Sequence, residues 1–74
     1  MQITVKLFAS YRVGRFKEAV RDYPAGCSVG GLLQTLDFTG KPPGIMLLNG
    51  MPASLDAELH DGDTVALFPL VSGG

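Results

Sequence analysis

The sequence predicts a small α+β domain: a mixed sheet of four to five strands with one main helix packed across it. Three observations carry this. Residues 2–8 alternate apolar and polar side chains with the period of a half-buried strand. Val29, Leu32, Leu33 and Leu36 recur at the spacing of one helix face. Asn49-Gly50 joins two apolar stretches, the strongest two-residue hairpin signal. With 74 residues the chain has room for one domain.

The first strand sends Ile3, Val5 and Leu7 one way and Gln2, Thr4, Lys6 and Phe8 the other. Ala9 to Arg15 contains Gly14 and reads as a turn or loop. Residues 16–23 read as a second strand, antiparallel to the first. Pro24-Ala25-Gly26 punctuates. Ser28 is placed to cap a helix of two to three turns. Gly30 and Gly31 each disfavour that helix by about 1 kcal/mol relative to Ala, so packing on a sheet must hold it. The stretch Cys27 to Gly31 allows two readings. One is a backbone anion cradle at the helix start. The other is close packing that only glycine permits, and the lack of a following phosphate-loop lysine favours it. Gly40 and Pro42-Pro43 are expected to end the helix. Ile45 to Leu48 reads as a short buried strand. Met51 starts its return, and Pro52 keeps that return short. Leu55 to Leu59 bridges to the turn Asp61-Gly62-Asp63, and Thr64 to Phe68 forms the last strand. The first and last strands are the most apolar and belong at the sheet centre. This order is a β-grasp arrangement with ubiquitin-like topology, its parallel central strands needing the crossover that the helix provides. Residues 1–68 form the domain and 69–74 a flexible tail.

Composition removes several function classes. Six basic and seven acidic side chains leave a formal net charge of −1. That offers no electrostatic footprint for nucleic acid or an anionic membrane. No apolar run approaches the roughly 18 residues of a membrane span. The alternating N-terminus is unlike a signal peptide, so the cytoplasm is expected. Cys27 and His60 are the only cysteine and histidine. A Cys/His pair or a Ser/His/Asp arrangement would rest on His60 alone, and a closed zinc site needs about four ligands. His60 reads as a solvated residue beside a turn, and Cys27 as a small packing residue. Neither catalysis by the chain itself nor a bound metal or cofactor is expected.

The chain ends on Gly73-Gly74. Two terminal residues without Cβ atoms can thread a narrow channel of a partner enzyme, leaving the Gly74 carboxylate as the reacting group. Several segments together resemble the small sulfur-carrier proteins. They are Val5-Lys6-Leu7-Phe8-Ala9, Ser28-Val29-Gly30-Gly31-Leu32-Leu33, Leu48-Asn49-Gly50, Asp61-Gly62-Asp63-Thr64-Val65 and Phe68-Pro69-Leu70-Val71-Ser72-Gly73-Gly74. That family includes the small subunit of molybdopterin synthase and the thiamine-biosynthesis sulfur carrier.

The resemblance implies a mechanism. An adenylyltransferase of the ubiquitin-activating type would use ATP and magnesium to adenylate Gly74. A persulfide donor would then supply sulfur to make a C-terminal thiocarboxylate. The acceptor enzyme would be the large subunit of molybdopterin synthase or thiazole synthase. The Phe-Pro tail looks more like the pterin carrier. Leu70 stands where that subunit usually has a second proline, and Arg12-Val13-Gly14 where it usually has Arg-Glu and a short helix. A protein modifier joined through Gly74 to lysine, or a plain binding module, are the other classes. By strand alternation, Phe8, Phe68 and Leu70 form an outward apolar patch beside the tail residues Pro69, Val71 and Ser72, a docking surface in kind.

Overall fold

The computed structural model describes residues 1–36, 38 and 43–69. The alternating N-terminal segment forms β1 (Gln2–Leu7), with Ile3, Val5 and Leu7 completely buried. A single 3₁₀ turn (Ala9–Arg12) follows, within the stretch read as a turn or loop. Next come β2 (Glu18–Asp22), α1 (Val29–Gln34), β3 (Ile45–Leu48), β4 (Met51–Pro52) and β5 (Thr64–Phe68). The five strands form one sheet in the order β2-β1-β5-β3-β4. The apolar strands β1 and β5 pair in parallel inside it, Val5 beside Val65 and Leu7 beside Leu67. All other pairings are antiparallel. The core is one cluster between sheet and helix: Ile3, Val5, Leu7, Val65 and Leu67 meet Val29, Leu32, Leu33 and Leu36, with Tyr23, Phe38 and Leu59 closing it.

One expectation about the helix changes, and one of the two readings of its start is removed. The helix is shorter than two to three turns, ending at Gln34. The Thr35 hydroxyl donates to Leu32 O at 2.7 Å, and Thr35 N–H also reaches Leu32 O, tightening the last turn. The chain thus leaves the helix before Gly40 and Pro42, which lie outside the described residues, and before Pro43, which is buried. The anion cradle is also absent. Val29 N–H donates to Ala57 O, Gly30 N–H to Leu55 O and Gly31 N–H to the Ser28 hydroxyl, so the first-turn donors are satisfied within the chain. The glycines serve this close approach. A Cβ at Gly30 would sit 3.2 Å from Leu55 O, and one at Gly31 would sit 3.0 Å from Cys27 Sγ.

The register of β5 is set at its start. Asn49 and Gly50 both take positive φ, 52° and 83°, as a primed turn requires. Asn49 Nδ2 donates to Asp63 Oδ1 at 2.9 Å, while Asn49 Oδ1 accepts from Thr64 N–H at 2.9 Å. Asp63 Oδ2 accepts from His60 N–H, and Asp63 O from Thr4 N–H. Asp61 Oδ1 accepts from Gln2 N–H at 2.7 Å. This clip ties the start of β5 to both β1 and β3. The Asp63 carboxyl is held below the ordinary aspartate range, chiefly by the Asn49 amide and then by the His60 N–H.

Candidate docking face beside the C-terminal segment

Parallel pairing of β1 with β5 decides where the aromatic residues go. The pairing continues one residue past β1, with Phe8 N–H donating to Leu67 O at 3.2 Å. Phe8 keeps an extended backbone, φ −123° and ψ 152°. Its ring therefore emerges on the same outer face as Phe68. The two rings stack with centroids 4.2 Å apart and planes 10° from parallel. Both side chains are half-buried, as is Pro69. The structure thus brings together Phe8 and Phe68 as the alternation predicted, with Pro69 next along the chain. Leu70, Val71, Ser72, Gly73 and Gly74 lie outside the described residues.

The 3₁₀ turn holds the pair from one side. Ala9 turns the chain with a φ of 52°. Arg12 then folds back, its Nε donating to Leu7 O at 2.8 Å and its guanidinium carbon 5.5 Å above the Phe8 ring. That is a cation–π contact at an exposed rim. Sequence reasoning placed no role on Arg12.

The patch is also wider than the sequence indicated. Ile45 pairs with Phe68 and Leu47 with Ala66, so both β3 residues share the outer face with the stacked rings. Ile45 is 47% exposed. The expectation of a buried third strand is therefore corrected. Only Met46 and Leu48 face inward, opposite Leu67 and Val65. The run Ile45-Met46-Leu47-Leu48 has no polar residue to mark its faces, which hid the alternation. Partner strand geometry was the only signal that reveals it. The result is an apolar surface of Phe8, Phe68, Ala66, Ile45 and Leu47 at the end of the sheet from which the C-terminal segment departs.

The residues weighed for nucleophilic chemistry are not arranged for it. Leu59 N–H donates to Cys27 O, so their segments run side by side. Yet the half-buried Cys27 packs against the core and its thiol donates to Ser28 O at 3.4 Å. The His60 ring is 72% exposed and lies 3.7 Å from Glu58 and 3.9 Å from Asp63. No helix among the described residues is long and apolar enough to cross a membrane.

Comparison with known proteins agrees with this geometry. No curated protein sequence matches the chain. Among solved structures, SAMP1 from Haloferax volcanii is 29% identical with a TM-score of 0.81, covering 100% of both chains. A Pyrococcus furiosus protein provisionally named molybdopterin converting factor, subunit 1, is 30% identical with a TM-score of 0.81, covering 96% of this chain and 99% of its own. The complex of subunits 1 and 2 of molybdopterin-converting factor from Helicobacter pylori shares the fold, at 21% identity and a TM-score of 0.68 over 100% of both chains. The model of the ThiS family matches residues 5–74. With its ubiquitin-like β-grasp fold and a family match that runs through the terminal Gly-Gly, this chain belongs to the ThiS family.

Proposed function

We propose that the protein is a cytoplasmic sulfur carrier for molybdopterin (molybdenum/tungsten cofactor) biosynthesis, working through the carboxylate of Gly74. Residues 69–74 serve as the tail that enters partner enzymes, and the Phe8/Phe68 face docks the body against them. The observation that carries this reading is the stacked pair at the end of β5. It puts an apolar surface, suited to docking, where the sequence runs on to Gly73-Gly74. The similarity to the Pyrococcus furiosus protein supports the pterin route. The Helicobacter pylori complex supports a large-subunit partner.

The chemistry follows from the carboxylate, a poor electrophile. In the active site of a ubiquitin-activating-like adenylyltransferase, a Gly74 oxygen attacks the α-phosphate of ATP, held with magnesium, and pyrophosphate leaves. The outer sulfur of a persulfide then attacks the acyl carbon and AMP leaves. A second thiol reduces the resulting acyl disulfide, freeing a thiocarboxylate on Gly74. The acceptor enzyme takes that sulfur. The carrier contributes no catalytic side chain; binding and chemistry are divided between it and its partners.

Reconstitution tests the route. The thiocarboxylated chain is mixed with a molybdopterin synthase large subunit and its pterin precursor, and separately with thiazole synthase and its precursor. Sulfur transfer is expected in the first mixture. Transfer only in the second refutes the pterin assignment in favour of the thiazole. A second reading is favoured by the similarity to SAMP1, which a further structure calls small archaeal modifier protein 1. In it, the same acyl-adenylate passes to a lysine amine. That reading predicts conjugates of higher mass in the native host.

A further inference from the structure

A groove of about 440 Å³ lies on the side of the sheet opposite the stacked phenylalanines, lined by Val13, Arg15, Phe16, Arg21, Thr35 and Leu36. We propose that it docks an acidic segment of a partner protein, one carboxylate being held between Arg15 and Arg21 and a neighbouring apolar side chain lying on Val13 and Phe16. This inference is independent of the Gly74 chemistry.

The register shows why the groove is charged. Arg21 pairs with Ile3, so it points to the helix side of the edge strand β2, a position an apolar residue would ordinarily fill. Its guanidinium carbon stands 5.6 Å over the Phe16 ring. Among the described residues it donates to no acceptor, and the ion pairs involve only the N-terminus and His60. Arg15 is held in place on the other wall. Its Nε donates to Leu36 O at 3.1 Å, its Nη1 to Tyr11 O at 3.4 Å, and its guanidinium carbon lies 4.5 Å over Phe38. Nη hydrogens of both arginines remain without a protein acceptor among the described residues. Two planar forks, each fixed on an aromatic face, suit bidentate capture of a carboxylate.

Charge decides between anions. One wall of the groove also turns the Leu36 carbonyl, just past the end of α1, toward Arg15, a partial negative charge already in place. Part of the Arg15 charge is thereby spent on Leu36 O. A singly charged carboxylate fits this balance better than a phosphate. The overall charge of −1 likewise argues against a nucleic acid or an anionic lipid surface.

The test is a titration of the ¹⁵N-labelled full chain, followed by amide shifts. The probe is a short blocked peptide of alternating leucine and glutamate. A peptide with glutamine in place of glutamate and inorganic phosphate are the comparators. Shifts are expected at Val13 to Phe16, Arg21, Thr35 and Leu36 with the glutamate peptide, and not with the glutamine peptide. Arg21→Gln should weaken binding about tenfold, the loss of a charged hydrogen bond, and Arg21→Lys by less; the amide spectrum reports whether each variant folds. Equal response to the glutamine peptide, phosphate binding as tight as the peptide, shifts centred on Phe8 and Phe68, or unchanged affinity in Arg21→Gln would each overturn the proposal. Asp37 neighbours the groove in sequence and lies outside the described residues. Binding by an Asp37→Asn chain but not by the parent would also overturn it, because the groove would already be filled.

Discussion

The Phe8–Phe68 stack makes a quantitative demand that separates docking from folding. A fully buried Phe→Ala truncation costs about 3–5 kcal/mol. Both rings here are only half-buried. Each single truncation should therefore cost less than that, roughly 2–3 kcal/mol, of which the ring–ring contact supplies about 0.5–1.5 kcal/mol. In a domain of this size each kcal/mol lowers Tm by about 4–8 °C. Urea unfolding of the wild type, Phe8→Ala, Phe68→Ala and the double variant gives the coupling directly; the predicted interaction is about 0.5–1.5 kcal/mol. Binding to the activating partner should suffer as well, in variants that remain folded. Truncating a docking anchor costs about 2 kcal/mol or more, near thirtyfold in affinity. Zero coupling would mean the rings do not stack in solution. A single-variant loss above about 4 kcal/mol would mean that they belong to a core. Either result refutes the outward patch.

Other predictions follow from the clip and the helix start. Asn49→Gly keeps the positive φ of the turn but removes the amide that most lowers the Asp63 carboxyl. Its folded value should rise toward the ordinary aspartate value in a ¹³C-detected titration. The sign follows from linkage. A carboxyl depressed on folding stabilises the protein above the unfolded value, about 3.9, and that stability is lost as pH falls through the lower folded value. The variant should lose part of this acid-side dependence, and an unchanged pH profile would contradict the clip. Gly31→Ala alone should be near neutral, since about 1 kcal/mol of helix propensity opposes the 3.0 Å approach to Cys27 Sγ. In a Cys27→Ala background the same change should stabilise; thermal melts of the four chains measure the difference. Tyr23→Phe should cost about 0.5–1.5 kcal/mol by denaturant unfolding, because its hydroxyl donates to Thr35 Oγ1 at 3.0 Å.

Much of this architecture is legible in the residue pattern, for physical reasons that differ by element. β1 and β5 bury one face each, so their period-two alternation survives in the sequence and even places Phe8 and Phe68 on a shared outer surface. Asn49-Gly50 is legible because few residue pairs tolerate two positive φ values. The helix start is legible in Ser28, but the helix end is not. Glycine and proline signals further on suggested a longer helix, whereas the Thr35 hydroxyl tightens the turn at Leu32 O. β3 hid its faces because all of its residues are apolar, so Ile45 and Leu47 became visible on the outer face only through pairing with β5. Arg12, Arg15 and Arg21 were silent for another reason. Their roles depend on which ring each one meets across the fold, and no local spacing encodes that.

The central claim is that Gly74 carries sulfur. Its most direct test is the intact mass of the protein after incubation with an activating adenylyltransferase, ATP, magnesium and a sulfide source, beside a chain lacking Gly74. The account predicts a gain equal to one oxygen exchanged for sulfur in the full chain and no gain in the shortened one. An unchanged mass in the full chain, with an adenylyltransferase shown to form its acyl-adenylate, would contradict it.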